Sequence, residues 1–182
     1  NKSNDGFIQT DVDENDSYES LYNNIKVAVA GYVAEKMVFG EKMMTCGASS
    51  DLKKATIIAN SMIREFGMNK YHSVRTYQTG GPNNPNGTLN LDDDNSQTYI
   101  SNEIEDLINN AMKDVENLLS DKNIKPSFCE SIKYLSENSF MPQKRMTEIY
   151  DKIDKKIRDK YKIDTKYKNI VDNFLSKIIF WH

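Results

Sequence analysis

The fold of this chain is decided by residues 45–68, which read TCGASSDLKKATIIANSMIREFGM. Apolar side chains recur in this stretch at the three- and four-residue spacing of one helix face. The members of this predicted apolar face are Leu52, Ala55, Thr56, Ala59, Met62, Ile63 and Phe66. The helix is predicted to begin at Ser49 or Ser50, and Gly67 lies where a left-handed C-terminal cap is needed. The stretch therefore predicts a loop, a helix and an end closed by glycine.

An acid, Asp51, lies in the first turn of this predicted helix. One interpretation is a helix-start residue, because an acid there gains about 0.3–1 kcal/mol from the helix dipole. The other interpretation is a metal ligand. The same dipole keeps a carboxylate ionised, and a carboxylate that binds zinc must be ionised. The local chemistry favours the first interpretation and leaves the second open.

Upstream, a second helix is predicted to open with a capping box formed by Asp16 and Glu19 and to end at Gly40. Its apolar positions at helical spacing are Leu21, Ile25, Ala28, Val29, Tyr32, Val33 and Met37. Small residues on this segment would allow another helix to approach closely, and they are Ala28, Ala30, Gly31 and Ala34.

Downstream, residues 77–96 are rich in Gly, Pro, Asn and Asp and predict a long loop. Residues 96–120 fit the helical period closely. Ser127 and Glu130 form a second capping box that is predicted to open the next helix. A fifth helix is marked by Met146, Ile149, Ile153 and Ile157, and a last helical segment covers residues 167–181.

These patterns predict an all-α fold of about six helices in a compact bundle. Residues 6–10, GFIQT, fit one short edge strand near the N-terminus. A length of 182 residues is enough for one domain with an appendage. We expect a domain at residues 1–154 and a C-terminal helical extension at residues 155–182.

Composition excludes several classes of function. The 24 basic and 27 acidic residues are mixed along the chain and give a net charge of −3, which does not support nucleic-acid binding. No apolar run approaches the roughly 20 residues that cross a bilayer, so this piece is expected to be soluble. The two cysteines, Cys46 and Cys129, have no CxxC spacing and favour a reducing compartment.

Glu35 is the other acid of interest, because its neighbours are small and apolar. Burial there would require a donor partner, and a side chain that reaches the surface remains the alternative. Three other acids are expected to be solvated, namely Glu19, Glu41 and Glu65. His72 and His182 form no H-E-x-x-H pair, so both are expected to be structural or exposed rather than catalytic.

Residues 25–74 resemble the peptidase domain of the FtsH family, the membrane-anchored AAA zinc proteases. Residues 27–41, VAVAGYVAEKMVFGE, resemble the helix of that family that carries GGRAAEE. Residues 45–68 resemble its block TTGAxxDLxxATxxAxxMVxx[YW]GM almost position by position. A weaker similarity continues through residues 96–122 and fades in residues 139–153.

The resemblance implies roles for particular residues. It makes Asp51 the third protein ligand of a zinc ion and places Glu35 in the outer shell of the metal site. It makes Gly6, Phe7 and Ile8 part of an edge strand that pairs with an extended substrate.

The resemblance also implies properties of a longer parent protein. The parent would degrade unfolded or membrane proteins with Zn²⁺ as cofactor. It would use ATP on an AAA ATPase module that is not present in this chain, and it would assemble as a homo- or hetero-hexamer. It would be associated with an organellar or bacterial inner membrane.

The sequence also departs from the family pattern. The family's H-E-x-x-H helix precedes the edge strand, and this chain starts after it, so we expect a piece with one of three metal ligands and no general base. Such a piece is not expected to cleave peptides alone. Ala30, Tyr32 and Lys36 stand where the family has glycine, arginine and glutamate. They favour the alternative of a non-catalytic pseudoprotease or scaffold subunit. An unrelated helical adaptor is opposed by the register of residues 47–56.

Overall fold

The computed structural model describes residues 16–44, 46, 48–69, 94–138 and 141–161. These residues form six α-helices and one short 3-10 helix, Glu41–Met43, and they contain no β-strand. The six helices are α1 Tyr18–Phe39, α2 Ala48–Arg64, α3 Asp94–Ser120, α4 Lys125–Asn138, α5 Gln143–Asp151 and α6 Lys155–Tyr161. The all-α prediction is confirmed. The predicted edge strand at residues 6–10 and the predicted helix at residues 167–181 lie outside the described residues.

The N-terminal cap of helix α1 lies one residue later than predicted. Ser17 has an extended backbone, and its hydroxyl accepts a hydrogen bond from the Ser20 N–H at 3.2 Å. Asp16 instead accepts the Ser20 hydroxyl at 2.9 Å. The predicted cap at Asp16 is therefore wrong, because the Ser17 oxygen is the one that reaches a free N–H of the first turn. The predicted end at Gly40 is confirmed, with φ at 79° and its N–H bonded to the Lys36 carbonyl.

Helix α1 is the centre of the bundle, because it packs along both α2 and α3, which also contact each other. Three of its apolar side chains, Ile25, Val29 and Ala30, have no exposed surface. Tyr22 ties α1 to α3 at the edge of the core by donating its hydroxyl to Asp114 at 3.0 Å. The core shared by the helices includes Leu21, Ala34, Ala55, Ile58, Met62, Ala111, Val115, Leu119, Ile124 and Leu135.

The turn between α3 and α4 is closed by Asp121. Its carbonyl accepts the N–H groups of Ile124 and Lys125, and its carboxylate accepts the Asn123 N–H at 2.9 Å. Helix α4 consequently begins at Lys125, and Ser127 lies inside it as a buried residue. The predicted capping box at Ser127 is wrong, because the helix starts two residues earlier and Ser127 lies within its first turn.

Glu130, the other half of that predicted box, joins α4 to α5. Its Oε1 lies 2.7 Å from both Arg145 Nη2 and Lys152 Nζ. Arg145 also bonds Glu148 at 3.0 Å and lies over the ring of Tyr134, 5.5 Å from its centroid. The hydrogen bond from Lys152 lowers the pKa of the Glu130 carboxyl below its ordinary value.

The predicted fifth helix is two helices, α5 and α6, because the chain turns at residues 152–154. Asp154 starts α6: its carboxylate accepts the Lys156 N–H at 2.8 Å, and its carbonyl accepts the N–H groups of Ile157 and Arg158. The apolar spacing survives the turn, with Ile149 and Ile153 buried. The prediction of one continuous helix is therefore wrong, because the spacing of apolar residues does not reveal where a side chain such as Asp154 caps a new helix.

Candidate functional site

Asp51 lies on the side of α2 that faces the core. The buried residues of this helix are Asp51, Ala55, Ile58, Ala59, Met62 and Ile63. With 3.6 residues per turn, Ala55, Ile58 and Met62 lie within about 40° of Asp51 around the helix axis. The buried face is rotated from the predicted one, because Thr56 is exposed and Ile58, absent from that prediction, is only 1% exposed. Asp51 therefore belongs to the same stripe as the core residues.

The Asp51 carboxylate is buried completely. The residue is 0% exposed, and both carboxylate oxygens are shielded from solvent. Its neighbours Ser49 and Ser50 are exposed. Ser49 closes the helix start, because its N–H and its hydroxyl bond the Cys46 carbonyl at 3.1 and 2.7 Å. Asp51 thus lies inside the first turn rather than at the cap, and a solvated helix-start acid does not describe it.

Burial of this carboxylate has a physical cost, since an ionised group loses its water on entering the core. Its location in the first turn reduces that cost, because the N-terminal end of a helix dipole favours a negative charge. Buried carboxylates persist in folded proteins where protein groups or metal ions engage them. Asp51 is therefore a functional candidate on burial as well as on sequence.

Glu35 is also buried, with 7% of its surface exposed. It lies one turn before the end of α1, and Gly31, Val33 and Ala34 around it are buried too. The alternative of a side chain that reaches the surface is therefore wrong. Among the described residues the buried acids are Asp51 and Glu35, whereas Glu19, Glu41 and Glu65 are exposed as expected.

The two buried acids lie on helices that pack against each other, α1 and α2. Ala34, next to Glu35, and Ala55, one turn after Asp51, belong to one core cluster. The packed helix pair therefore holds both acids in fixed positions without a loop to position either one.

The described residues do not hold a zinc ion by themselves. They contain no group of three or more His, Cys, Asp or Glu side chains arranged to bind a metal. Zinc sites in proteins use three or four protein ligands. A single buried carboxylate such as Asp51 fits one position of such a site, and the remaining donors would have to come from elsewhere. His72 and His182 lie outside the described residues.

The three residues that depart from the expected motif, Ala30, Tyr32 and Lys36, differ in how deeply they are buried. Ala30 is fully buried, and Tyr32 is half-buried against the core. Lys36 is at the surface, where its Nζ lies 2.9 Å from Glu41 Oε1, and this hydrogen bond raises the pKa of Lys36. Lys36 is thus engaged at the surface, outside the core.

Comparison with known proteins identifies the family. The family model described as peptidase family M41 matches residues 6–149. The chain belongs to peptidase family M41. Within this M41 chain, both buried acids fall in the matched region.

Similar proteins carry the names of zinc proteases. The chain is 52% identical to the ATP-dependent zinc metalloprotease FtsH 1 of Alkaliphilus metalliredigens over 50 residues, 28% of the chain. It is 33% identical to FtsH of Neorickettsia risticii over 102 residues, 56% of the chain. It is 32% identical to human YME1L1 over 105 residues, 58% of the chain. The matches span 8%, 15% and 12% of those relatives' lengths. No solved structure matches the M41 chain.

The structure bears unequally on three remaining expectations, which concern the substrate strand, membrane spans and the cysteines. The predicted substrate strand with Gly6, Phe7 and Ile8 lies outside the described residues, so its role stays a prediction. In the part of the chain that the structure describes, no helix combines the length and the apolar character needed to cross a membrane. Both free cysteines, Cys46 and Cys129, are exposed.

Proposed function

We propose that this chain is the C-terminal peptidase domain of an FtsH-like ATP-dependent zinc metalloendopeptidase that degrades unfolded or membrane proteins. The observation that supports this proposal most strongly is the complete burial of Asp51 on the core-facing stripe of α2. An ionised carboxylate buried in an otherwise apolar stripe needs compensation from protein groups or from a metal ion.

In this proposal Asp51 is the third protein ligand of the metal, and Glu35 supports the site from α1. Asp51 lies in the first turn of α2, where the positive end of the helix dipole favours a negative charge. Helices α1 and α2 pack against each other, and this packing would hold the two buried side chains in place. When bound, Zn²⁺ would activate a water molecule for peptide hydrolysis.

Other parts of the parent complete the proposed enzyme. The strand containing Gly6, Phe7 and Ile8 would pair with an extended protein substrate through backbone hydrogen bonds. A separate AAA ATPase module would deliver unfolded chains, and the parent would assemble as a homo- or hetero-hexamer at a membrane. Within this chain, we assign residues 1–154 to the peptidase domain and residues 155–182 to a C-terminal extension.

The isolated chain is proposed to be inactive. Its 182 residues contain two histidines and no H-E-x-x-H, so it lacks both the imidazole pair and the glutamate base of that motif. One buried carboxylate does not hold zinc tightly. Zinc titration of this chain should therefore give binding weaker than micromolar, and micromolar affinity would contradict the proposed division of the site.

A pseudoprotease or scaffold subunit is the second candidate, because Ala30, Tyr32 and Lys36 depart from the family motif. The two candidates differ in whether the parent binds zinc and degrades proteins at all.

The test uses the intact parent protein with three variants, Asp51→Asn, Glu35→Gln and the control Asp106→Asn. Asp106 is an exposed acid on α3 and carries the same substitution without touching the core. Zinc content by mass spectrometry and ATP-dependent degradation of casein are measured together.

The enzyme proposal expects Asp51→Asn to lose zinc and degradation, and Glu35→Gln to lose about 10–100-fold in metal affinity or activity. The control should match the wild type. If Asp51→Asn keeps both zinc and activity, the proposed ligand role is wrong. If the wild-type parent itself binds no zinc and degrades nothing, the scaffold candidate is favoured instead.

A further inference from the structure

The last described helix, α6, is short and shallowly packed. It has seven residues and no fully buried side chain. Ile157 and Tyr161 are partly buried against the core, and the other side chains of α6 contribute little to it. Isolated helices much shorter than about 12 residues are not stable in water. The helical state of α6 therefore depends on the side-chain contacts that dock it.

The C-terminal end of α6 is held by a charged acceptor distant in sequence. The Tyr161 hydroxyl donates to Asp121 Oδ2 at 2.6 Å. Lys160 Nζ lies 3.6 Å from the same carboxylate oxygen and 3.0 Å from the Tyr161 hydroxyl. A short hydrogen bond to an ionised carboxylate is stronger than one between neutral groups. This contact joins the end of α6 to the turn between α3 and α4.

The N-terminal end of α6 is held by contacts that are local in sequence. Asp154 accepts the first N–H groups of the helix, as described above. The Arg158 guanidinium lies 4.9 Å from the centroid of the Tyr150 ring and 3.9 Å from Asp151. These contacts set the direction in which α6 leaves α5. They do not bind α6 to the α3–α4 turn, so that attachment depends on Tyr161, on Lys160 and on the partly buried Ile157.

We propose that α6 can detach from the bundle and that the hydrogen bond between Tyr161 and Asp121, called the latch here, holds it in place. When the latch opens, α6 loses its helical structure and separates from the α3–α4 turn as one unit, while α1 to α5 keep their packing. The latch thereby decides whether α6 is held against the α3–α4 turn. This inference does not depend on the proposed metal site, because none of its residues belongs to that site.

The physical basis is the coupling of docking to helix formation. A segment with few buried apolar contacts opens locally at a low free energy, far below that of global unfolding. Removing the strongest docking contact lowers that opening free energy further without touching the α1–α2–α3 core. The structure therefore separates the stability of α6 from the stability of the bundle.

The test is amide hydrogen exchange of the full 182-residue chain, followed by mass spectrometry. Tyr161→Phe removes the latch hydroxyl and keeps the ring. Tyr134→Phe is the matched control, because it removes a hydroxyl from another half-buried tyrosine whose ring contacts Arg145. Exchange at residues 155–161 should become about tenfold faster in Tyr161→Phe, the size expected from losing one charged hydrogen bond. Exchange in α1, α2 and α3 should not change, and the control should match the wild type throughout.

A second variant, Asp121→Asn, checks the partner. Combined with Tyr161→Phe it should accelerate residues 155–161 by less than the product of the two single accelerations, because both changes remove the hydrogen bond between Tyr161 and Asp121. Asp121→Asn should also affect residues 123–125, since Asp121 accepts the Asn123 N–H. The proposal is overturned if Tyr161→Phe leaves residues 155–161 unchanged, if all helices accelerate together, or if the two variants add independently.

Discussion

The neighbouring residues Ile57 and Ile58 offer a direct test of how α2 is oriented. They are identical in type and adjacent in the same helix, but Ile58 is 1% exposed whereas Ile57 is 62% exposed. Changing either one to alanine alters the intrinsic helix propensity by the same amount, so that contribution cancels between the two variants. The difference between them reports burial alone.

The expected difference is large. Truncating a buried isoleucine to alanine costs about 2–5 kcal/mol, from lost apolar burial and from the cavity left behind. Ile58 lies in the core cluster shared by α1, α2 and α3, so a value near the middle of that range, about 3 kcal/mol, is expected for Ile58→Ala. At roughly 2–4 °C for each kcal/mol in a chain of this size, the melting temperature should fall by about 6–12 °C. Ile57→Ala should stay within about 0.5 kcal/mol of the wild type.

The assay is urea denaturation of the chain followed by far-ultraviolet circular dichroism, with thermal melting as a second measure. Equal losses for the two variants, or a larger loss for Ile57→Ala, would mean that α2 presents a different face to the core. Asp51 would then no longer lie on the buried stripe, and the structural argument for its metal role would be lost.

Three further predictions concern local features of the fold. Ser17→Ala should lower the free energy of unfolding by about 1 kcal/mol through loss of the α1 cap, whereas the exposed Ser101→Ala should change it little; equal effects in urea titration would argue against the cap. Gly67→Ala should cost about 1–2 kcal/mol by the same assay, because its φ of 65° lies in the left-handed region, and an unchanged stability would contradict that backbone. Because the Lys152 hydrogen bond lowers the folded-state pKa of Glu130, its contribution to stability is present above the unfolded-state pKa of about 4.3 and is lost as the pH falls through the folded-state pKa. Glu130→Gln should therefore flatten the acid side of the stability–pH profile, and an unaltered profile would contradict the prediction.

Much of the helical architecture could be predicted because helix periodicity is local information. Most of the predicted apolar positions of α1 are buried or half-buried, with Met37 an exposed exception, and the predicted glycines Gly40 and Gly67 both have positive φ. Helix starts were less predictable. Several polar side chains near a helix start can accept the free N–H groups, and only the folded geometry shows which one does. Ser17 replaces Asp16 for this reason, and α4 starts two residues before the predicted cap at Ser127.

The orientation of α2 illustrates a second limit. Thr56 fits a helical spacing but is exposed, because the packing partners α1 and α3 select a face rotated toward Asp51 and Ile58. Phe66 is also exposed and lies beyond the end of α2. A prediction from apolar residues alone misses this face, because its first member, Asp51, is an acid. The recurrence of Asp51, Ala55, Ile58 and Met62 at spacings of four, three and four residues was the available signal.

The candidate site was predictable only in part. Local chemistry favoured Asp51 as a helix-start acid and left Glu35 undecided, since burial depends on neighbours that are distant in sequence. The resemblance to a protease family singled out both residues, and the structure shows that both are buried. A complete metal site was not predictable from this chain, because the described residues provide too few ligands in one place.

The most direct test of the central claim is a crystal structure of the intact parent protein with anomalous diffraction data collected at the zinc absorption edge. We predict a zinc peak at about 2.0–2.2 Å from a carboxylate oxygen of Asp51, the usual zinc–oxygen distance. A zinc ion bound elsewhere, with Asp51 buried but outside its ligand shell, would contradict the account.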